Sequence, residues 1–341
     1  MRILVTGATG VVGTEVTHRL TAAAPAADTV RTARRAGEPG VVPWTIGREP
    51  VPASLTGHWD VIVHTAAATR WTLTRAEATE ANIVPLREVL ALADRETHFV
   101  HVSTAYVGGT RGPQDLTGAE FEGYRNGYEW SKAVCEDIVT EHRGPVTVVR
   151  PPLVMGRRTD GVIARFSGPY SLFPALVSGL AAVVVGDPDG HAEIGPVDEV
   201  ADAIVTAACG APPATPRTEV ISAGEHGLRL GQLVDVTCAA INDFRAAHGV
   251  APIERPPTVS TDSWNRFFLP LAEQWLSPVQ RQAVRLLAMF QSYTSMSEPF
   301  TPTRLVADPA RVVEVSVRYW ARRKPRQALA APSPWTMVTA R

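Results

Sequence analysis

The stretch "MRILVTGATGVVGTEVTHRL", residues 1–20, decides the fold. "RILVTG" is a short apolar run that reads as a strand, and "TEVTHRLTAAA" behind it reads as a helix. Between them stand Gly7, Gly10 and Gly13 at G-x-x-G-x-x-G spacing. Glycine in such a turn permits close backbone approach to a pyrophosphate and close helix–strand packing, while the helix N-terminus attracts negative charge. A glycine triplet alone is compatible with a plain structural turn. Directly after a first strand and opening a helix, it reads as a nucleotide site.

The same rhythm continues outward. "TVRTA" and "DVIVHTAA" read as strands, "ANIVPLREVLALADR" as a helix, "HFVHVSTAY" as a strand, "YEWSKAVCEDIVTEH" as a helix and "VTVVRPPLV" as a strand. Short β-branched runs alternating with amphipathic helices predict an α/β fold: a Rossmann-type, doubly wound parallel sheet with helices on both faces. After residue 160 the rhythm breaks into a Gly- and Pro-rich segment. "PVDEVADAIVTAAC" then restores a helix, where Asp198 can cap the start as well as touch a ligand and is read as structural, and "TEVISAGE" returns a strand. The expected domains are therefore a dinucleotide-binding domain over 1–165, rejoined by 195–225, and a smaller, mainly helical substrate lobe from 166–194 and 226–341.

Composition narrows the setting. The 341 residues are 45% hydrophobic and 20% charged, with a net charge of -1, unlike a nucleic-acid binder. The three cysteines, Cys135, Cys209 and Cys238, form no CxxC pair and suggest neither a disulfide framework nor a zinc site, which fits a reducing cytoplasm. Nine histidines are scattered without HExxH, so no metal is expected; no G-x-S-x-G supports a serine hydrolase. The start reads as mature protein without a leader, and the longest apolar run, residues 172–186, is too short and too interrupted to span a bilayer. The tail from residue 331 reads as frayed.

"NGYEWSKAVCE", residues 126–136, puts Tyr128 and Lys132 one helical turn apart on one face. Alone, such a pair is as compatible with a solvated surface as with chemistry. Together, "TGATGVVG", "DVIVHTAA", Asn82 in "ANIVPL", "VSTAYVGG", "YEWSK", "VRPPLVMG" and "PVDEVADAI" resemble, in order and spacing, the extended short-chain dehydrogenase/reductase family over roughly residues 1–225. The wording of several blocks is most similar to the branch of fatty acyl-CoA reductases, male-sterility proteins and thioester reductase domains.

The resemblance implies a catalytic set. Tyr128 would pass a proton to or from the reacting oxygen, and Thr104 would hydrogen-bond that oxygen, with adjacent Ser103 as the lesser candidate. Lys132 would hold the nicotinamide ribose and, with the cofactor's charge, lower the phenol's pKa by some ~3 units. Asn82 would satisfy backbone groups and support a relay, or else simply face solvent. His64 reads as a satisfied core histidine. The implied cofactor contacts are Gly7, Thr9, Gly10, Val11, Val12, Gly13, Arg34, Arg35, Ala66, Ala67, Tyr128, Lys132, Pro151 and Val154. Many members carry an acidic residue after the second strand to bind the ribose hydroxyls of NAD; here Arg34 takes that place with Arg35 beside it, which points to NADP. Thr45 stands where an aspartate commonly meets the adenine.

The functional expectation is an NADPH-dependent reductase, or reverse dehydrogenase, acting on a carbonyl of an apolar metabolite: an acyl thioester, aldehyde or ketone, carrier- or CoA-linked forms included. The alternatives are a nucleotide-sugar epimerase or dehydratase that keeps its nicotinamide bound, and a non-catalytic NADP-binding regulator. The expected partner is a small molecule, with no nucleic acid and no membrane. A homodimer would pair the helices carrying Ile83, Leu86, Leu90, Val134 and Ile138. An apolar substrate is inferred from Trp264, Phe267, Phe268, Leu269, Leu271, Trp275, Leu286, Leu287, Met289, Phe290, Tyr293 and Phe300, most of which must also form the lobe's own core. The basic stretch 318–326 reads first as a solvated helix end.

Overall fold

A computed structural model describes residues 1–35, 37, 39–111, 121–270, 277, 281 and 290–332. The chain divides into two compact units. The first comprises Met1–Pro152, Val197–Ile221 and Pro302–Arg304; the second comprises Leu153–Pro196, Ser222–Thr301 and Leu305–Arg341.

The chain builds one large sheet. Its strands β1 (Arg2–Thr6), β2 (Asp28–Ala33), β3 (Val41–Pro43), β4 (Val61–His64), β5 (His98–Val102) and β6 (Val146–Arg150) are joined by Arg217–Ser222 and Arg304–Leu305. The order across the eight-stranded sheet is β3-β2-β1-β4-β5-β6, then Arg217–Ser222 and Arg304–Leu305. The pairs from β3 through to Arg217–Ser222 are all parallel. This is the doubly wound order expected from the alternating sequence, and its direction reverses between β1 and β4, where such sheets place ligands.

Alternation along the strands explains why both faces are covered. Leu4, Ile62, Phe99 and Val148 belong to one buried cluster with Ala78 of the short α2 (Arg75–Ala78), Leu86 and Val89 of α3 (Val84–Leu90) and Trp130 and Val139 of α4 (Gly127–Thr140). The intervening Ile3, Val5, Val63 and Val100 are buried as well. Helix α1 (Val11–Ala23) packs against Val197–Cys209, which also lies against β4, β5 and β6. Near-continuous apolar strands such as "VIVH" and "HFVHV" are what burial on both faces requires. Ile83 and Leu86, named from the sequence as dimer contacts, are spent in this core, whereas Leu90, Val134 and Ile138 stay partly buried at its edge.

The second unit is built differently. Leu230–Ala246 packs on Pro309–Arg323, and Tyr170, Phe173 and Trp320 interlock edge to face at ring separations of 5.3 Å. The fully buried Arg245 donates to the carbonyls of Ala251, Ala328 and Ala330 at 2.7–2.9 Å, pinning residues 328–330.

Among the aromatic residues named from the sequence, Trp264, Phe290, Tyr293 and Phe300 are buried, while Phe267 is 70% exposed. Phe268 and Leu269 are partly buried against Trp264. Leu271, Trp275, Leu286, Leu287 and Met289 lie outside the described residues. In the basic stretch, Arg318 pairs with Asp243 and Glu314 at 3.0 and 2.8 Å, and Arg322, Arg323, Lys324 and Arg326 are exposed at a helix end. Among the described residues no helix is long and apolar enough to cross a membrane.

Candidate active site

The loops leaving the C-terminal ends of β1, β4 and β5 converge in the first unit. Gly7 has φ +68°, the left-handed conformation that side chains rarely adopt, and a Cβ there would sit 2.7 Å from the Ala66 nitrogen. A Cβ on Gly13 would come within 2.2 Å of the Gly7 carbonyl oxygen. The glycines thus let the β1 loop fold onto the start of α1 and against the β4 loop. Gly10 caps α1 in an extended conformation, with no side-chain cap and no carboxylate in the first turn. The first N–H groups of a helix lack intrahelical partners, so here Val11, Val12 and Gly13 face the turn with donors and the positive end of the helix dipole. That donor set fits a nucleotide pyrophosphate.

Beside this turn, Thr9 and Ala67 are exposed and Ala66 is half-buried. Arg34 and Arg35, immediately after β2, are both exposed. The Thr45 N–H is bound to Glu49 Oε2 at 2.7 Å. Pro151 is buried, and its carbonyl accepts from the Ala105 N–H at 2.8 Å. Val154 falls in the second unit, on the short strand Leu153–Met155.

Asn82 proves to be a clamp rather than a surface residue. It is 2% exposed, in a π-helical turn spanning Thr79–Ile83. Its Oδ1 accepts from the Ala68 N–H at 2.7 Å, and its Nδ2 donates to the Ala68 carbonyl at 3.2 Å and to Ser131 Oγ at 2.8 Å. Ser131 Oγ in turn donates to the Tyr128 carbonyl at 2.8 Å. One side chain therefore ties the β4 loop to the first turn of α4. That turn is itself fixed by Asn126, whose side chain accepts from the Glu129 N–H at 3.0 Å.

On α4, the Tyr128 hydroxyl is hydrogen-bonded to the Thr104 side chain. Ser103 is buried with its hydroxyl unpartnered. Within the protein alone the phenol is not depressed. Burial pushes its pKa up, the neighbouring Glu129 carboxylate adds to that, and the Thr104 bond works the other way. Lys132 is fully buried, and burial lowers its own pKa. Its Nζ lies 3.1 Å from His101 Nε2. Against the expectation that the ammonium lowers the phenol's pKa, burial sets its direction; the Thr104 contact, and the positive nicotinamide of a bound cofactor, act the opposite way.

His64 is the satisfied core histidine expected, with Nδ1 2.9 Å from Thr6 Oγ1 and its pKa lowered to about 3, chiefly by burial and then by Lys132. His101 escaped the sequence reading: inside "HFVHV" it looks like one more core position. Cys135 is also buried beside Lys132, and its thiol is pushed up to about 11 by burial.

A family model described as male sterility protein matches residues 49–204. Over that segment the chain is similar to the NAD-dependent epimerase/reductase-like short-chain dehydrogenase/reductase family. It is 27% identical over 184 residues to fatty acyl-CoA reductase wat of Drosophila melanogaster, a match covering 44% of this chain and 36% of that protein. Against fatty acyl-CoA reductase 1 of Gallus gallus it is 27% identical over 194 residues, covering 47% of this chain and 38% of that one. The matches thus span little more than a third of the length of those relatives. Among solved structures, the terminal R domain from the myxalamid PKS-NRPS biosynthetic pathway superposes with a TM-score of 0.70 at 21% identity, covering 97% of this chain and 92% of that one. The Bordetella bronchiseptica enzyme WbmH in complex with NAD+ gives 0.62 at 18% identity, covering 94% and 98%. At these identities the superpositions speak to the fold.

Proposed function

We propose that this protein is an NADPH-dependent oxidoreductase that reduces a carbonyl group of an apolar substrate, an acyl thioester, aldehyde or ketone. The observation that carries the reaction is the hydrogen bond joining Thr104 to the Tyr128 phenol, with Lys132 buried one helical turn further on. Bound NADPH supplies the hydride. Thr104 and Tyr128 bind the carbonyl oxygen, and Tyr128 delivers the proton that oxygen needs as it becomes a hydroxyl. Lys132 holds the ribose and steadies the phenolate left behind, and the uncapped start of α1 takes the pyrophosphate. Arg34 and Arg35 offer guanidinium forks to a 2′-phosphate and no acceptor for a free ribose hydroxyl, which favours NADPH over NADH.

The substrate class is supported by a cavity of about 70 Å³ within the second unit, lined by Leu153, Met155, Phe173, Leu176, Ile194 and Phe290 among others, with Thr237, Gln291 and Thr294 as its polar members. Among the described residues no charged side chain lines it, so it suits a hydrocarbon better than a diphosphate. Carrier- or CoA-linked acyl groups fall within this class. A cytoplasmic location accords with three free cysteines, and a homodimer through α3 and α4 would use Leu90, Val134 and Ile138. Incubating the protein with NADPH and a panel of acyl thioesters, aldehydes and ketones tests the proposal. Substrate-dependent loss of NADPH absorbance is expected; saturable binding of nucleotide sugars with no NADPH oxidation across the panel would overturn it.

A further inference from the structure

Three histidines, His64, His98 and His101, are buried in the first unit, and the proposed reaction uses none of them. His98 is answered by Thr147 Oγ1 at 2.9 Å and His64 by Thr6 Oγ1 at the same distance. His101 instead meets α4, with its Nε2 3.1 Å from Lys132 Nζ, and its ring stacks on His64 at 5.7 Å with 15° between the planes. The parallel register sets Thr6, His64 and His101 side by side on adjacent strands, two residues beyond the apolar row of Leu4, Ile62 and Phe99. At the row where the sheet reaches the site, its residues turn from apolar to hydrogen-bonding.

A buried ammonium carries three donors and no acceptor, and leaving it unpaired is costly. The titratable groups facing Lys132 are Cys135 and Glu136 on its own helix, His101 on β5 and His64 on β4. The Glu136 carboxylate is already held by the Arg150 guanidinium, with Nε at 3.0 Å. We propose that His101 is the positioning residue for Lys132: a neutral imidazole accepts a hydrogen bond from the ammonium at Nε2, its proton kept on a buried Nδ1 that has no partner among the described residues, and leaves the ammonium's two other protons to the ribose and the Tyr128 phenol. Burial, then the Lys132 charge, then His64, hold His101 well below the usual imidazole range, so it stays an acceptor. Stacking on His64, itself anchored by Thr6, fixes the ring.

The inference rests on the reading of Lys132 as the ribose-binding lysine, and the test has one arm that does not need the cofactor. In protein carrying 15N-labelled histidine, NMR should show His101 protonated at Nδ1 and bare at Nε2 between about pH 5 and pH 8, with its signals moved by Lys132→Met. A proton at Nε2, or titration within that range, overturns the proposal. In the second arm, NADPH affinity is measured by fluorescence titration. His101→Phe keeps the ring and removes the acceptor, and should weaken binding about 10-fold. His101→Gln, which restores an acceptor at similar reach, should bind within about 3-fold of the unchanged protein. In a Lys132→Met background, His101→Phe should cost nothing further. A loss that persists undiminished there would mean that His101 acts only on the fold, and would sink the inference. If the unchanged protein fails to bind NADPH, the proposed cofactor is wrong, and the NMR arm still decides the His101–Lys132 pair.

Discussion

Asn82→Ala removes a side chain that is almost wholly enclosed and makes three hydrogen bonds, to both backbone groups of Ala68 and to Ser131 Oγ. Each ordinary intramolecular bond is worth roughly 0.5–1.5 kcal/mol net, and a buried donor left unmade costs roughly 1–3 kcal/mol. Ala68 is only partly buried, so water can recover some of its loss; Ser131 is fully buried and keeps its bond to the Tyr128 carbonyl. The expected sum is about 2–3 kcal/mol, equivalent to a fall in Tm of roughly 5–10 °C for a unit of this size. Because the β4 loop and the first turn of α4 are released together, NADPH affinity should fall as well, by about 5-fold or more. Ser131→Ala breaks one link of the same clamp and should cost about 1 kcal/mol. Calorimetric unfolding and fluorescence titration of the two variants give both numbers. A loss below about 0.5 kcal/mol for Asn82→Ala, with NADPH binding intact, would show that the clamp drawn from these bonds does not hold the site together.

Tyr128→Phe should lower turnover by at least ~100-fold with NADPH binding retained; near-normal turnover would reject the phenol as proton donor. Gly13→Ala drives a Cβ to 2.2 Å from the Gly7 carbonyl oxygen, a backbone clash no rotamer relieves, so NADPH binding should be lost in calorimetric titration even if the protein remains folded. Changing Arg34 to Asp together with Arg35 to Ser should shift preference from NADPH toward NADH; equal affinity of the unchanged protein for both would count against the arginine reading. His64, His98 and His101 have folded pKa values below the ordinary 6.5, to about 3, to about 4 and well below, respectively, each chiefly through burial. The unfolded chain therefore binds more protons below about pH 6.5, and stability should be fully present above that pH and fall as pH drops toward 4, by up to about 1.4 kcal/mol per unit for each histidine. A flat urea midpoint between about pH 6.5 and pH 5 would contradict this.

How much of this was legible in the sequence depended on whether the signal was local. The strand, the glycine turn and α1 are contiguous in "RILVTGATGVVG", and the i,i+4 spacing of Tyr128 and Lys132 is helical arithmetic, so both could be read directly. The parallel sense of the sheet followed from the alternation of elements because parallel strands need crossover helices, whereas the order of its strands came only with the fold. Asn82 was half legible: its helix was evident, but its partners Ala68 and Ser131 lie 14 and 49 residues away, and nothing local separates a clamp from a solvated side chain. His101 was illegible because a histidine in "HFVHV" alternates like any core residue, and only the register between β4 and β5 brings it to His64. The upward push on the Tyr128 phenol was missed because burial is a property of the fold, whereas the Tyr–Lys spacing suggests only their mutual charge effect. The apolar cavity gathers residues from 153 to 313; of the aromatic residues named beforehand, Phe290 alone among the described ones lines it, since contiguous aromatic runs such as "WNRFF" divide between core and surface.

Hydride transfer to a carbonyl is the claim on which the rest depends, and isotope tracing tests it most directly. NADPH deuterated at the transferred position of the nicotinamide C4 would be incubated with a turned-over acyl thioester, aldehyde or ketone, and the product analysed by mass spectrometry. The account predicts one deuterium on the former carbonyl carbon for every NADPH consumed in reducing a ketone or aldehyde, and the same label on the aldehyde carbon released from a thioester. Product formation without deuterium, or a nucleotide sugar converted while NADPH is left unconsumed, would contradict it.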